Sequence, residues 1–171
     1  MTNLIEVWLR GPIPGIAPVL QPAAHALLQV VEDVLPVVAD LTAVQLWARP
    51  GGVAAVGFHL KHLPGSVDRL LTYARGEQLS QAQMAYLASE RNIHDDRPTL
   101  ESLTAGLSTG IDSAIEFLRA VPDDSLLEPR EVGRQKRPST TLGLIFHAAE
   151  HSSRHAGQVV TLSRIVRSWP P

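Results

Sequence analysis

Four stretches of this 171-residue chain repeat apolar residues at steps of three and four, and proline or glycine closes each of them. That period belongs to an α-helix with one buried face, and a strand cannot use it. The first stretch runs from about Val19 through Leu20, Ala24, Leu27, Leu28, Val31, Val34 and Leu35 to Pro36, whose ring should kink or end it. The second starts near Val53, carries Val56, Leu60, Leu63, Val67, Leu70, Leu71 and Ala74, and stops at Gly76, with Pro64 expected to bend it. The third follows a Thr99 cap with Leu100, Leu103, Leu107, Ile111, Ile115 and Leu118. The last runs from about Ser139 to Val166, roughly 40 Å at helical rise.

Shorter helices fit the connections. Asp40 or Thr42 can cap one reaching Trp47, where ARPGG breaks it, and Ser80 can cap another through about Ala88. Residues 89–98 read as loop, and residues 122–138 as polar, irregular chain without a convincing strand. Residues 1–18, rich in proline and glycine from Gly11 onward, form a turn-rich arm. The expected fold is all-α: a single-domain four-helix bundle over residues 1–171 with short extra helices in its connections. With 44% apolar residues and only 5% aromatics, its core must be aliphatic.

Several functions are excluded or disfavoured on composition. A formal charge of −2 offers no global attraction for nucleic acid or anionic membrane. No apolar run is long enough to span a bilayer, and the N-terminus lacks the pattern of a signal peptide, so a cytoplasmic location is expected. The absence of cysteine removes disulfides, thiolate ligands and a cysteine nucleophile. The cations Arg130, Arg134, Lys136 and Arg137 are diluted by Asp123, Asp124, Glu128 and Glu131, and read as a solvated loop. Trp8, Trp47 and Trp169 are expected to pack against helix ends or interfaces.

Chemistry concentrates in the seven histidines. On the last helix His147, His151 and His155 stand four apart and share a face. Counting about 100° per residue from His147 puts His151 near 40° and His155 near 80°, close to the apolar stripe, so the rings are expected to look inward. Burying imidazoles is costly unless each finds a partner, and one metal ion can serve several. His147 and His155 lie about 12 Å apart along the axis, too far to share an ion, which leaves 147 with 151 or 151 with 155. The upstream partner is equally open between His59 and His62. His25 reads as a hydrogen-bonded core histidine, His94 as solvated, and Glu150 and Gln158 as candidates to support a ligand.

The segments GGVAAVGFHLKHL and HSSRHAGQ, at this separation, resemble the DinB/YfiT-like family of metalloenzymes over residues 19–166. The resemblance implies a four-helix bundle, often dimeric, with a divalent metal (Ni, Zn, Fe or Mn) at one end held by His62, His151 and His155. It also implies a small-molecule substrate and metal-dependent thiol transfer, with a low-molecular-weight thiol, or hydrolysis on a small electrophile. The alternative is a non-catalytic metal-binding or structural bundle. One departure stands out: family members often carry a histidine and then an arginine around the last ligand, whereas here Arg154 precedes His155 and Ala156 follows it.

Overall fold

The computed structural model describes residues 5–91 and 97–169. Helices α1 (Gln21–Val38), α3 (Val56–Ala74), α5 (Leu100–Ala120) and α6 (Thr141–Ser168) form the bundle, with α2 (Ala43–Trp47) and α4 (Gln81–Arg91) in the connections. The bundle closes as a ring: α3 packs on α6 and α5, and α1 packs on the same two helices. Each periodic stripe turns inward. Leu20, Leu27 and Val34, Leu60, Leu63 and Val67, Leu107 and Ile111, and Ile145 and Val159 are all buried in one core.

Local chemistry sets the boundaries. Thr42 accepts from the Gln45 amide while the Gln45 side chain accepts from the Thr42 amide, a capping box that starts α2. Thr99 and Thr140 cap α5 and α6 by the side chain alone, accepting from the Ser102 and Gly143 amides. α3 begins at Val56, three residues after the expected start, because Gly51 and Gly52 take positive φ and Val53 is extended. Pro36 does not end α1, which runs two residues further to Val38. The proline costs α1 a backbone donor, but the last turn is held by Val38, which is still buried in the core.

The connections correct three further expectations. α4 continues through Arg91, so residues 89–91 belong to a helix and not to a loop. The polar connection holds an antiparallel hairpin, β1 (Pro129–Val132) and β2 (Arg137–Thr140). Its four-residue strands are half-exposed and carry a proline each, so no apolar alternation advertises them. Arg130 is not a free solvated cation: its Nε donates to the Ala74 carbonyl (2.7 Å) at the end of α3 and its Nη2 to Glu128 (2.6 Å). Trp47 is buried, whereas Trp8 and Trp169 are largely exposed.

α4 lies on α3, and glycine permits the approach. A methyl on Gly65 would stand 2.4 Å from the Tyr86 ring and 2.6 Å from Glu90 Oε1. Gly110 makes the matching allowance where α5 crosses Pro64. Gly65→Ala is therefore expected to cost about 1–3 kcal/mol through overpacking. Gly106→Ala, in α5 with open space around the new methyl, should gain up to about 1 kcal/mol of helix propensity. Urea unfolding of the two variants checks the contrast.

Candidate metal centre

The α3–α6 seam gathers imidazoles from both helices. His59 and His62 come from α3, one turn apart, and His151 and His155 from α6, one turn apart. His62 and His151 meet Nε2 to Nε2 at 3.0 Å, and His59 and His155 meet Nδ1 to Nδ1 at 2.8 Å. The ring centroids of His62 and His155 are 4.7 Å apart, and those of His151 and His155 4.5 Å. One ring nitrogen from each of His62, His151 and His155 lies within 4.8 Å of the others, a group that could hold a metal ion. Their half-buried position at the seam differs from the core-facing one expected, because Ala148, Ser152, Ala156 and Val159 take the buried line of α6.

The donor set fits a divalent cation. Two nitrogens about 2.1 Å from one ion stand roughly 3.0–3.4 Å apart at octahedral or tetrahedral angles, and the His62–His151 gap of 3.0 Å falls there. The three imidazoles come without a protein carboxylate or a fourth nitrogen in the group, which leaves coordination positions open among the described residues.

Behind the candidate ligand nitrogens stand partners that fix ring orientation. His62 Nδ1 donates to Glu90 Oε2 at 2.8 Å, and Arg69 clamps the same carboxylate through Nη1 (2.7 Å) and Nη2 (3.2 Å). Glu90 and Arg69 are 3% and 8% exposed, so this is a buried ion pair. Burial pushes the Glu90 carboxyl up, but the bonds from His62 and Arg69 outweigh it and hold it below its ordinary value. Phe58 stacks on His62, with centroids 5.5 Å apart and planes 7° from parallel. A carboxylate on the far nitrogen of an imidazole sets its tautomer and raises its basicity toward a metal.

The remaining histidines separate by structure. His59 is buried and touches His155, so it backs a candidate ligand. His147, expected to face inward, is exposed and hydrogen-bonded to Glu150 (2.7 Å). Glu150 also takes Arg154, and thus supports no ligand nitrogen directly; Gln158 is on the exposed side of α6. His25 donates to the Gly11 carbonyl (3.0 Å), pinning the arm, and lines a cleft of about 490 Å³ with Trp8 and Ser153. His94 lies outside the described residues.

Glu90 and Arg69 were not legible as site residues. The available signal was spacing: His62, Gly65 and Arg69 lie at i, i+3 and i+7 on α3, and Tyr86 and Glu90 at i and i+4 once α4 is extended.

Burial, followed by the crowding of neighbouring imidazoles, lowers His59 and His151 to about 4 and His155 to about 3. An unfolded chain titrates its imidazoles near 6.5. Between those values the folded state binds fewer protons, so stability is full above about pH 6.5 and is lost as pH falls toward 4. Metal-free protein is expected to lose on the order of 2–3 kcal/mol for His59 alone over that window, and His59→Gln should flatten the decline. Urea midpoints measured from pH 7 to pH 4 on parent and variant check it.

A profile of the DinB superfamily matches residues 26–159. No curated protein matches the chain at a significant level. The matched span opens in α1 and closes in α6, and it takes in all four bundle helices, the facing imidazole pairs and Glu90. With most of its length matched and its helices arranged as a bundle, the chain belongs to the DinB superfamily.

Proposed function

We propose that His62, His151 and His155 bind one divalent metal ion and that the protein is a metal-dependent enzyme acting on a small electrophile by thiol transfer or hydrolysis. The observation that carries the reading is the convergence of three imidazoles whose supporting contacts are already made: Glu90 behind His62 and His59 behind His155. A divalent ion with an open position lowers the pKa of a bound water or thiol, or polarises a carbonyl. Zn, Ni, Fe and Mn all accept imidazole nitrogen.

What the chain itself contributes is orientation and proton control. Glu90 keeps the His62 proton on Nδ1 and so presents Nε2 to the ion. Arg69 keeps Glu90 ionised. His59, buried and held neutral at neutral pH, stands 2.8 Å from His155 Nδ1, and as the acceptor of that bond it leaves His155 Nε2 a lone pair for the ion. Phe58 limits water on one side of His62. A low-molecular-weight thiol as co-substrate and a homodimer as the assembly belong to the same proposal, on the family resemblance.

Calorimetric titration with zinc, nickel, manganese and iron(II) is expected to show near-stoichiometric binding of at least one ion. His62→Ala and His151→Ala should abolish it with helical content intact. Glu90→Gln is expected to weaken affinity about 10–100-fold. Because that change strands Arg69, the double variant Glu90→Gln with Arg69→Met keeps the fold testable, and it should bind the ion as weakly. The loaded protein is then assayed with thiols and electrophiles. Undiminished binding in both histidine variants would remove the proposed ligand set. Tight metal without exchangeable water would favour a structural ion.

A further inference from the structure

We propose that Arg154 is a latch on the metal site: it holds His151 in the tautomer that closes one ligand position, and loading requires it to let go. The inference rests on the metal reading above and adds a positioning role for a residue outside the ligand set.

The donors and acceptors form a directed chain. Glu90 is a carboxylate that only accepts, so the His62 proton sits on Nδ1 and His62 Nε2 carries a lone pair. That lone pair faces His151 Nε2 at 3.0 Å, and the contact is a hydrogen bond only if His151 Nε2 bears the proton. The other nitrogen of a neutral His151 must then be a bare acceptor. Arg154, which has no acceptor at all, supplies the matching donor: its Nη2 lies 3.3 Å from His151 Nδ1. Arg154 to His151 to His62 to Glu90 is thus one self-consistent line of N–H donation across the seam.

A metal reverses one link. An ion takes the lone pair of His151 Nε2, so the single proton of the neutral ring must stand on Nδ1. Its net protonation is unchanged; only its position moves. Nδ1–H then points at a guanidinium N–H, donor against donor, and Arg154 has to turn away. It has somewhere to go. Its side chain is 63% exposed and is already tied to Glu150 through Nε at 2.9 Å and through the same Nη2 at 3.1 Å, so it keeps both of those bonds when it lets His151 go. His62 needs no such change, because its Nδ1 proton stays hydrogen-bonded to Glu90 whether or not an ion is present.

The test uses uniformly ¹⁵N-labelled, metal-free full-length protein at pH 7, where long-range ¹H–¹⁵N spectra separate the two imidazole tautomers. His151 is expected to carry its proton on Nε2 and to move it to Nδ1 on adding one equivalent of zinc. Arg154→Met should bind zinc about tenfold more tightly, the weight of one charged hydrogen bond. The gain should persist in 1 M sodium nitrate, where charge repulsion is screened within about 3 Å. A metal-free His151 protonated on Nδ1 would overturn the latch, as would equal zinc affinity in parent and variant, or a gain that vanishes at high salt. If neither protein takes up zinc, the metal reading itself falls.

Discussion

The His62 side of the α3–α6 seam leans on a buried carboxylate. Glu90 sits on α4, and its two oxygens are taken by the Arg69 guanidinium and the His62 imidazole of α3. Removing one partner of such a pair typically costs about 3–5 kcal/mol, because the survivor stays buried and uncompensated. A hydrophobic substitute could hold α4 against α3 as firmly. It could not set the tautomer of His62, and that is where a stability device becomes a site device.

The geometry that brings Glu90 there is paid for in side-chain volume. Gly65 has no β-carbon where Tyr86 and Glu90 pass, and the Tyr86 hydroxyl donates to the Lys61 carbonyl one turn earlier on α3 (2.8 Å). Gly110 clears Pro64 from the other side, so α3 is approached closely by α4 and by α5 along the same few residues. Pro64, which α3 carries without ending, therefore lies within one turn of His62. Opposite, α6 needs no such allowance. It offers His151 and His155 at the edge of a stripe whose centre is Ala148, Ser152 and Ala156, small residues that bring α6 close to its neighbours.

Helix number, caps and core stripes were legible in the sequence because they depend on local rules: a period of 3.6 residues, threonines before apolar runs, and glycine and proline after them. The i, i+4 histidine spacing of the last helix was legible for the same reason, but it left 147 with 151 and 151 with 155 equally open, and family resemblance chose the second. The choice of His62 over His59 came from family resemblance, and the spacing alone left both open. Residues 89–91 and the hairpin were missed because Ser89, Glu90 and the strands Pro129–Val132 and Arg137–Thr140 show no apolar pattern. Tertiary contacts, absent from any local window, decide their structure. The inward turn expected of His147 failed by geometry: the helical wheel drew the apolar stripe too wide, and His147 found Glu150 at the surface instead.

The central claim is that three imidazoles from two helices share one ion. X-ray absorption on zinc-loaded protein tests it most directly, because outer-shell scattering counts imidazoles around the metal. Three nitrogen ligands at about 2.0–2.1 Å, with imidazole scattering and a light-atom ligand completing the sphere, are the expected result. An oxygen-dominated shell with one imidazole or none would contradict the account, since it would place the ion elsewhere on the protein.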